Sequence, residues 1–437
     1  MDHWPGSLDP PSPWMPGRRK RAGDHGARRS PTAQPGNGTS VKRPDHNLVV
    51  DCLRGFSILL VLGIHFFGLH VRLNERAETF ANPLYRLFGH GYFGVTIFFV
   101  ISGYLITITS LERKGDGIAL DIPRFYARRV SRIAPLLILA LAIGIVVLNT
   151  GTPGDRAFDF VVNTSSDVHT APFWLSIAFF QYNWFKIYSA FQGRYSGLQW
   201  DILWSLAVEE QFYLIFPLLV AALKTVRRLR HVMVGAVVFA FLSRLVLQVT
   251  LGKSVLAGNA TFTCFDALAI GVLVGIAKPW AVQEARRAAL AVPVLFVIGY
   301  AVGSEAVGGV FVTVVAKAAG LLIQATRSLD LRAVLPRLWL LADLGRLSYG
   351  AYLLHPVIFL ALAPFVASGR HDAMLGFVVA VVTTYGVAKL SFRLYERPVE
   401  RWSRAALYAA IERRRGERSS VASPGGVSEA RADPLNG

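Results

Sequence analysis

Charge is scarce in this chain: Asp, Glu, Lys and Arg make up 17% of its 437 residues, roughly two thirds of the share of about 25% usual in soluble domains. So little charge, spread among long apolar runs, excludes a disordered polymer. Cysteine is scarcer still. Cys52 and Cys264 each lie in or beside an apolar run with no second thiol near in sequence. A disulfide scaffold, a cysteine zinc spacing and a redox pair are therefore excluded, and both thiols read as small core residues. No metal site is expected. No internal repeat is visible, so the inverted-repeat signature of many transporters is missing.

What is present is apolar. Hydrophobic residues make up 53% of the chain and the mean hydropathy is +0.42. Many apolar runs are about 20 residues long, the length that spans a bilayer as a helix. Lipid demands that every backbone amide be satisfied within its own segment, so helices are the expected form. Lys and Arg number 46 against 28 Asp and Glu, for a net charge of +18. They cluster in short breaks between the apolar runs, the positive-inside pattern. The basic balance thus reflects membrane orientation, and no nucleic-acid partner is expected.

The expected fold is an all-α integral membrane protein with about ten transmembrane helices. Residues 1–46 read as a disordered basic cytoplasmic tail, 47–403 as one multi-spanning domain, and 404–437 as a second, mostly disordered cytoplasmic tail. Candidate spans are 48–70, 91–111, 133–150, 203–223, 232–250, 263–279, 289–304, 308–325, 346–366 and 374–394. Basic residues are dense at 113–132, 224–230, 278–287 and 327–346 and nearly absent from the alternate breaks at 151–170, 251–262 and 304–308. Both tails are therefore expected in the cytoplasm, with the chain a multi-pass protein of the plasma membrane. Counting 172–190 as a span would break this alternation, so that aromatic-rich run is read as re-entrant or interfacial.

Function is sought at ionisable groups inside spans, where each costs at least about 2.5 kcal/mol near the bilayer centre. In the first span, Arg54 and His65 are eleven residues apart. That is three turns plus about 20°, so they share one helix face about 16 Å apart along the axis. Asp51 lies on the same side. A cation near the membrane surface and a deep imidazole suited to general-base work result. Arg54 with Asp51 equally fits an ion-paired anchor, and His65 a helix-to-helix hydrogen bond.

A second constellation is Trp204-Ser205 followed by Glu209-Glu210 and Tyr213. Adjacent carboxylates point about 100° apart, so one of the two is expected to share a cavity with His65; acids near a helix start also complement its dipole. Ser102-Gly103 lets a backbone or a slender chain approach closely, with tight helix packing the plainer use. Arg128, Arg129 and Arg132, beside Phe125 and Tyr126, suit a phosphate-rich nucleotide or anionic lipid head groups. Tyr349 and His355 lie in a late span, where Pro356 frees a carbonyl one turn earlier and His355 can be structural.

Taken in order, these segments resemble the acyltransferase 3 family of integral-membrane O-acyltransferases. The resemblance rests on Arg54 and His65 in the first span, FFVISGYLI (Phe98 to Ile106), FYARRVSRIAP (Phe125 to Pro135), WSLAVEEQFY (Trp204 to Tyr213), LSYGAYLLHPV (Leu347 to Val357) and YERP (Tyr395 to Pro398). It implies transfer of an acyl group, commonly acetyl, from acyl-CoA as co-substrate to a hydroxyl of a glycan or glycosylated small molecule, with no bound cofactor. It also implies that Arg54 and His65 are the essential pair, with Glu209 in support. Asp51, Ser102, Gly103, Arg128, Arg129, Arg132, Trp204, Ser205, Glu210, Tyr349 and His355 are the expected substrate-side residues. Thr96 stands where family members often carry an acid. Many relatives append a periplasmic esterase-like domain, and 399–437 is too short and polar to be one, so a stand-alone enzyme is expected. The rival reading is a membrane carrier exporting an acylated or anionic metabolite through the same buried Arg and His.

Overall fold

The computed structural model describes residues 46–74, 88–150, 155–161, 166–194, 197–252, 255–302, 308–329, 335–367 and 373–421. All but the last residue of the expected tail over 1–46 lies outside the described residues, as does the chain beyond 421. The described chain is almost entirely helical. Its principal helices are α1 His46–Asn74, α2 Tyr92–Ser110, α3 Ile122–Thr150, α4 Ala171–Ala178, α5 Tyr182–Phe191, α6 Leu203–Leu223, α7 Val226–Leu251, α8 Thr261–Ile276, α9 Val282–Val302, α10 Gly308–Thr326, α11 Trp339–Arg346, α12 Ser348–Ala367, α13 Ala373–Ser391 and α14 Arg397–Val421.

Among the described residues, eight helical stretches are long and apolar enough to cross a bilayer, against about ten expected from the sequence. The other two, α9 and α10, pack on each other. The 19 residues of α10 rise about 28 Å, close to the hydrocarbon thickness of about 30 Å. The aromatic run 172–190 does not span. It breaks at Phe180, whose φ is 54°, into the short helices α4 and α5. The turn between them is inserted against the middle of α6, where Gln211 Nε2 donates to Phe180 O at 2.5 Å and to Asn183 Oδ1 at 3.0 Å.

The basic breaks gather on one face of the bundle. A small hairpin pairs β1 Glu112–Lys114 with β2 Gly117–Ala119, and Ile118 N–H donates to Lys224 O at 3.0 Å while Val226 N–H donates to Asp116 O at 2.8 Å. Arg113 donates to Ile276 O at 3.1 Å, and Arg327 to Ala277 O at 3.0 Å. Four breaks that alternation assigned to one side of the membrane are thus stitched together.

At the centre, α2 is apolar on every side and buried on most of them, as a helix without a polar face must be. Lipid supplies no hydrophobic drive for helix association, so close backbone contact matters. A Cβ added at Gly103 would lie 2.0 Å from Leu268 O, and one at Gly271 would lie 2.1 Å from Val100 O. These two glycines let α2 and α8 touch backbone to backbone.

The expected disorder of 404–437 is corrected over its first part, since α14 runs to Val421. Its charges explain the order. Arg415 reaches Asp121 at 2.8 Å, and Arg124 reaches Glu412 at 2.8 Å, fastening α14 to the start of α3.

Candidate active site

A cavity of about 320 Å³ lies between α1, α2, α3, α6, α12 and α14, within the size range of small-molecule sites. Among the described residues, five guanidinium groups line it, those of Arg54, Arg128, Arg129, Arg132 and Arg404, and Glu209 is the sole acid in the lining. Such an excess of fixed positive charge at the basic face of the bundle favours an anionic ligand.

Arg54 has no hydrogen-bond or ion-pair partner among the described residues. Asp51 pairs instead with Arg346 Nε at 3.1 Å. The ion-paired anchor considered for Arg54 is therefore set aside, and Asp51, expected at the substrate, lies outside the lining. Arg128 Nη2 donates to Ser110 Oγ at 3.2 Å. The Arg129 guanidinium sits 4.4 Å from the centre of the Tyr213 ring, a cation–π contact, and its Nη1 donates to Tyr213 OH at 3.4 Å.

Glu209 is held by two hydroxyls. Ser102 Oγ and Tyr213 OH both donate to its Oε1, and the two hydroxyl oxygens are 3.1 Å apart. Tyr213 follows Glu209 by four residues, one turn along the same face. Glu210, expected beside the substrate, is absent from the lining, and its Oε1 is buried with no hydrogen-bond partner among the described residues. The roughly 100° between neighbouring side chains separates the two acids as the helix period requires.

Two further expected substrate residues also lie elsewhere. Gly103 serves the α2–α8 contact, because its open side is filled by Leu268. Trp204 packs edge-on against Phe99, with Lys186 Nζ 5.2 Å from its ring centre. Ser205 and Tyr349 do line the cavity, Ser205 bonding Tyr352 OH at 2.7 Å and Tyr349 OH donating to Ile133 O at 2.7 Å.

His65 is not in the lining. The lining extends as far as Tyr352, Leu353 and Ser205, and the Tyr352–Ser205 hydroxyl pair closes that end. His65 lies with His355 instead, its Nδ1 2.9 Å from His355 Nε2 and the two rings within 7° of parallel. His355 is fully buried, and its Nδ1 lies 2.7 Å from Tyr352 O and 3.2 Å from Ala351 O. The expectation of one cavity sharing Arg54, His65 and a carboxylate is thus corrected: Arg54 and Glu209 share it, and the imidazole pair stands one helical turn beyond its Tyr352 wall.

Four polar lining residues, Thr109, Ser348, Tyr352 and Arg404, were not among those singled out from the sequence. Spacing carried a signal for one of them, since Tyr352 sits a turn from His355. Arg404, held by Glu400, lay in a segment read as a tail. The sequence also gave no cue to a buried cluster at the far side of the bundle. There Arg244 donates to both Asp266 oxygens at 3.0 Å, and Thr313 donates to Asp266 Oδ2 at 2.6 Å.

Residues 47–392 match the acyltransferase domain family. The chain is 23% identical over 346 residues to the O-acetyltransferase OatA of Staphylococcus aureus, a match covering 75% of this chain and 55% of that protein. It is 28% identical over 379 residues to the putative peptidoglycan O-acetyltransferase YrhL of Bacillus subtilis, covering 80% of this chain and 54% of that one. The chain therefore spans about half the length of these curated relatives. No solved structure matches it. With the family's domain extending over most of the sequence, from the first span to the last, the chain belongs to the acyltransferase 3 family of integral-membrane O-acyltransferases.

Proposed function

We propose that this protein moves an acyl group, acetyl in the simplest case, from acyl-CoA to a hydroxyl of a glycan or a glycosylated small molecule. The names of the relatives, O-acetyltransferase and putative peptidoglycan O-acetyltransferase, support the acetyl group and a glycan acceptor. The observation that carries the donor assignment is an Arg54 guanidinium with no hydrogen-bond or ion-pair partner among the described residues, in a cavity that Arg128, Arg129, Arg132 and Arg404 also line. Phosphates satisfy such groups well, because guanidinium and phosphate match in charge and planar geometry. The protein sits in the plasma membrane with its basic face and both termini in the cytoplasm, where acyl-CoA is made.

The donor's phosphates rest on the arginines and its pantetheine arm runs inward along α1. An arm of roughly 15–20 Å matches the three turns, about 16 Å, from Arg54 to His65. The Tyr352–Ser205 hydroxyl pair that closes this end has to part for the thioester to reach His65. His65 takes the proton of the acceptor hydroxyl as its oxygen attacks the thioester carbonyl. The tetrahedral intermediate collapses, the carbon–sulfur bond breaks, and the CoA thiolate recovers the proton from the imidazolium. Glu209, with Ser102 and Tyr213, orients the groups at the cavity side of this step.

Purified protein in nanodiscs is expected to release free CoA from acetyl-CoA only when a hydroxylated glycan acceptor is present. Uptake or export of an acylated metabolite with no CoA release would replace this reading by a carrier. Mass spectrometry of glycans and metabolites with and without the gene is expected to show a single acyl mass difference that identifies the acceptor.

A further inference from the structure

The sequence His355-Pro356 has a consequence for the chemistry of His65. Proline has no N–H, so the helix carbonyl four residues before Pro356, that of Tyr352, lacks its usual donor. A buried carbonyl left unpaired costs free energy. His355 Nδ1 lies 2.7 Å from that oxygen, with Ala351 O as a second acceptor at 3.2 Å. Both neighbours can only accept, so Nδ1 carries the proton. In the neutral ring the other nitrogen, Nε2, is then an acceptor. That nitrogen faces His65 Nδ1 at 2.9 Å, so His65 Nδ1 must donate. The lone pair of His65 is thereby placed on Nε2, which has no hydrogen-bond partner among the described residues.

We infer that His355 is a positioning residue, through which the carbonyl freed by Pro356 fixes His65 in the Nδ1–H tautomer and leaves Nε2 as the nitrogen that receives the acceptor's proton. The inference rests on the proposed role of His65 as base. It assigns to a neutral imidazole the task that a carboxylate performs in hydrolase triads, namely choosing which nitrogen of the base is bare. The coplanar ring pair also limits the swing of His65, since rotation would break its bond to a fully buried partner. No charge is needed in the bilayer interior to achieve this, which suits a site where an unpaired ion is costly.

The test compares His355→Leu, His355→Gln and His65→Ala in nanodiscs with acetyl-CoA and a glycan acceptor. Leu removes the acceptor for His65 Nδ1–H, whereas the Gln Oε1 reaches the position of Nε2 and restores it. His355→Leu is expected to lower kcat about 100-fold, at the low end of general-base effects, with KM for acetyl-CoA unchanged. His355→Gln is expected to recover to within about tenfold of the parent. Nitrogen-15 spectra of histidine-labelled protein, with the His65 signal identified from its loss in His65→Ala, are expected to show a protonated Nδ1 and a bare Nε2. This readout does not depend on turnover. A folded His355→Leu protein with near-normal kcat, a Gln variant no better than Leu, or a His65 signal with the proton on Nε2 would each overturn the inference. Normal transfer by His65→Ala would instead overturn the base assignment beneath it, so the two failures are distinguishable.

Discussion

Two arginine sites of this protein are built to opposite ends, Arg244 inside a span and Arg54 with its neighbours at the basic face of the bundle. Arg244 is 3% exposed and its partner Asp266 is fully buried. With Thr313 and the Thr263 carbonyl they form a closed set in which the guanidinium and carboxylate satisfy each other. Arg54 and its neighbours on α3 line an open cavity whose only acid among the described residues is already occupied by Ser102 and Tyr213. The first group ties α7, α8 and α10 together. The second leaves donors unspent for something the protein does not itself contain. An ionisable residue in a span is thus a pointer to function only after its partners have been counted, and Arg244 would mislead a reader who stopped at its presence.

Breaking each group should have a different signature. The largest effect is expected downstream of the open group: His65→Ala should lower kcat by about 10² to 10⁴ while membrane insertion and thermal unfolding stay as in the parent. In the closed group, Asp266→Asn should destabilise the fold by about 3 kcal/mol or more, since it leaves a buried guanidinium uncompensated. Thermal unfolding in detergent measures that loss, and turnover per folded molecule should hold. A drop in turnover with unchanged unfolding would place Arg244 in the chemistry and erase the contrast. Next, Arg128→Gln combined with Arg129→Gln should raise KM for acetyl-CoA about tenfold, near the value of one charge-assisted hydrogen bond, and flatten its dependence on salt. An unchanged KM would detach the donor's phosphates from this cavity. The smallest effect is expected at Arg346, whose side chain is 52% exposed in its pair with Asp51. Arg346→Ala should cost about 0–1 kcal/mol of stability and leave turnover alone.

The parts of this architecture that were legible in the sequence are those set by local periodicity. Apolar runs of bilayer length located the helices, the 3.6-residue repeat placed Arg54 and His65 on one face, and the same repeat separated Glu209 from Glu210. What stayed hidden depends on pairing across the chain. His65 and His355 are 290 residues apart, and nothing in either segment announces that one imidazole will face the other. Arg244 and Asp266 read as isolated oddities until α7 and α8 are laid side by side. Gly103 was read both as a close helix contact and as a place at the substrate, because a missing side chain says only that something comes close; here the something is Leu268, and the contact is the one that holds. Arg404 was lost to composition, since a polar amphipathic helix fastened by ion pairs looks, residue by residue, like a solvated tail.

That last helix changes what counts as the minimal protein. A version cut after Pro398 would retain each signature segment by which the chain is recognised, yet it would forfeit one wall of the vestibule along with the clasp to the start of α3. Affinity tags and fusion partners grafted there would sit beside the arginine-lined cavity, so a preparation silent in an assay should first be examined for what has been attached to, or trimmed from, the residues after Pro398.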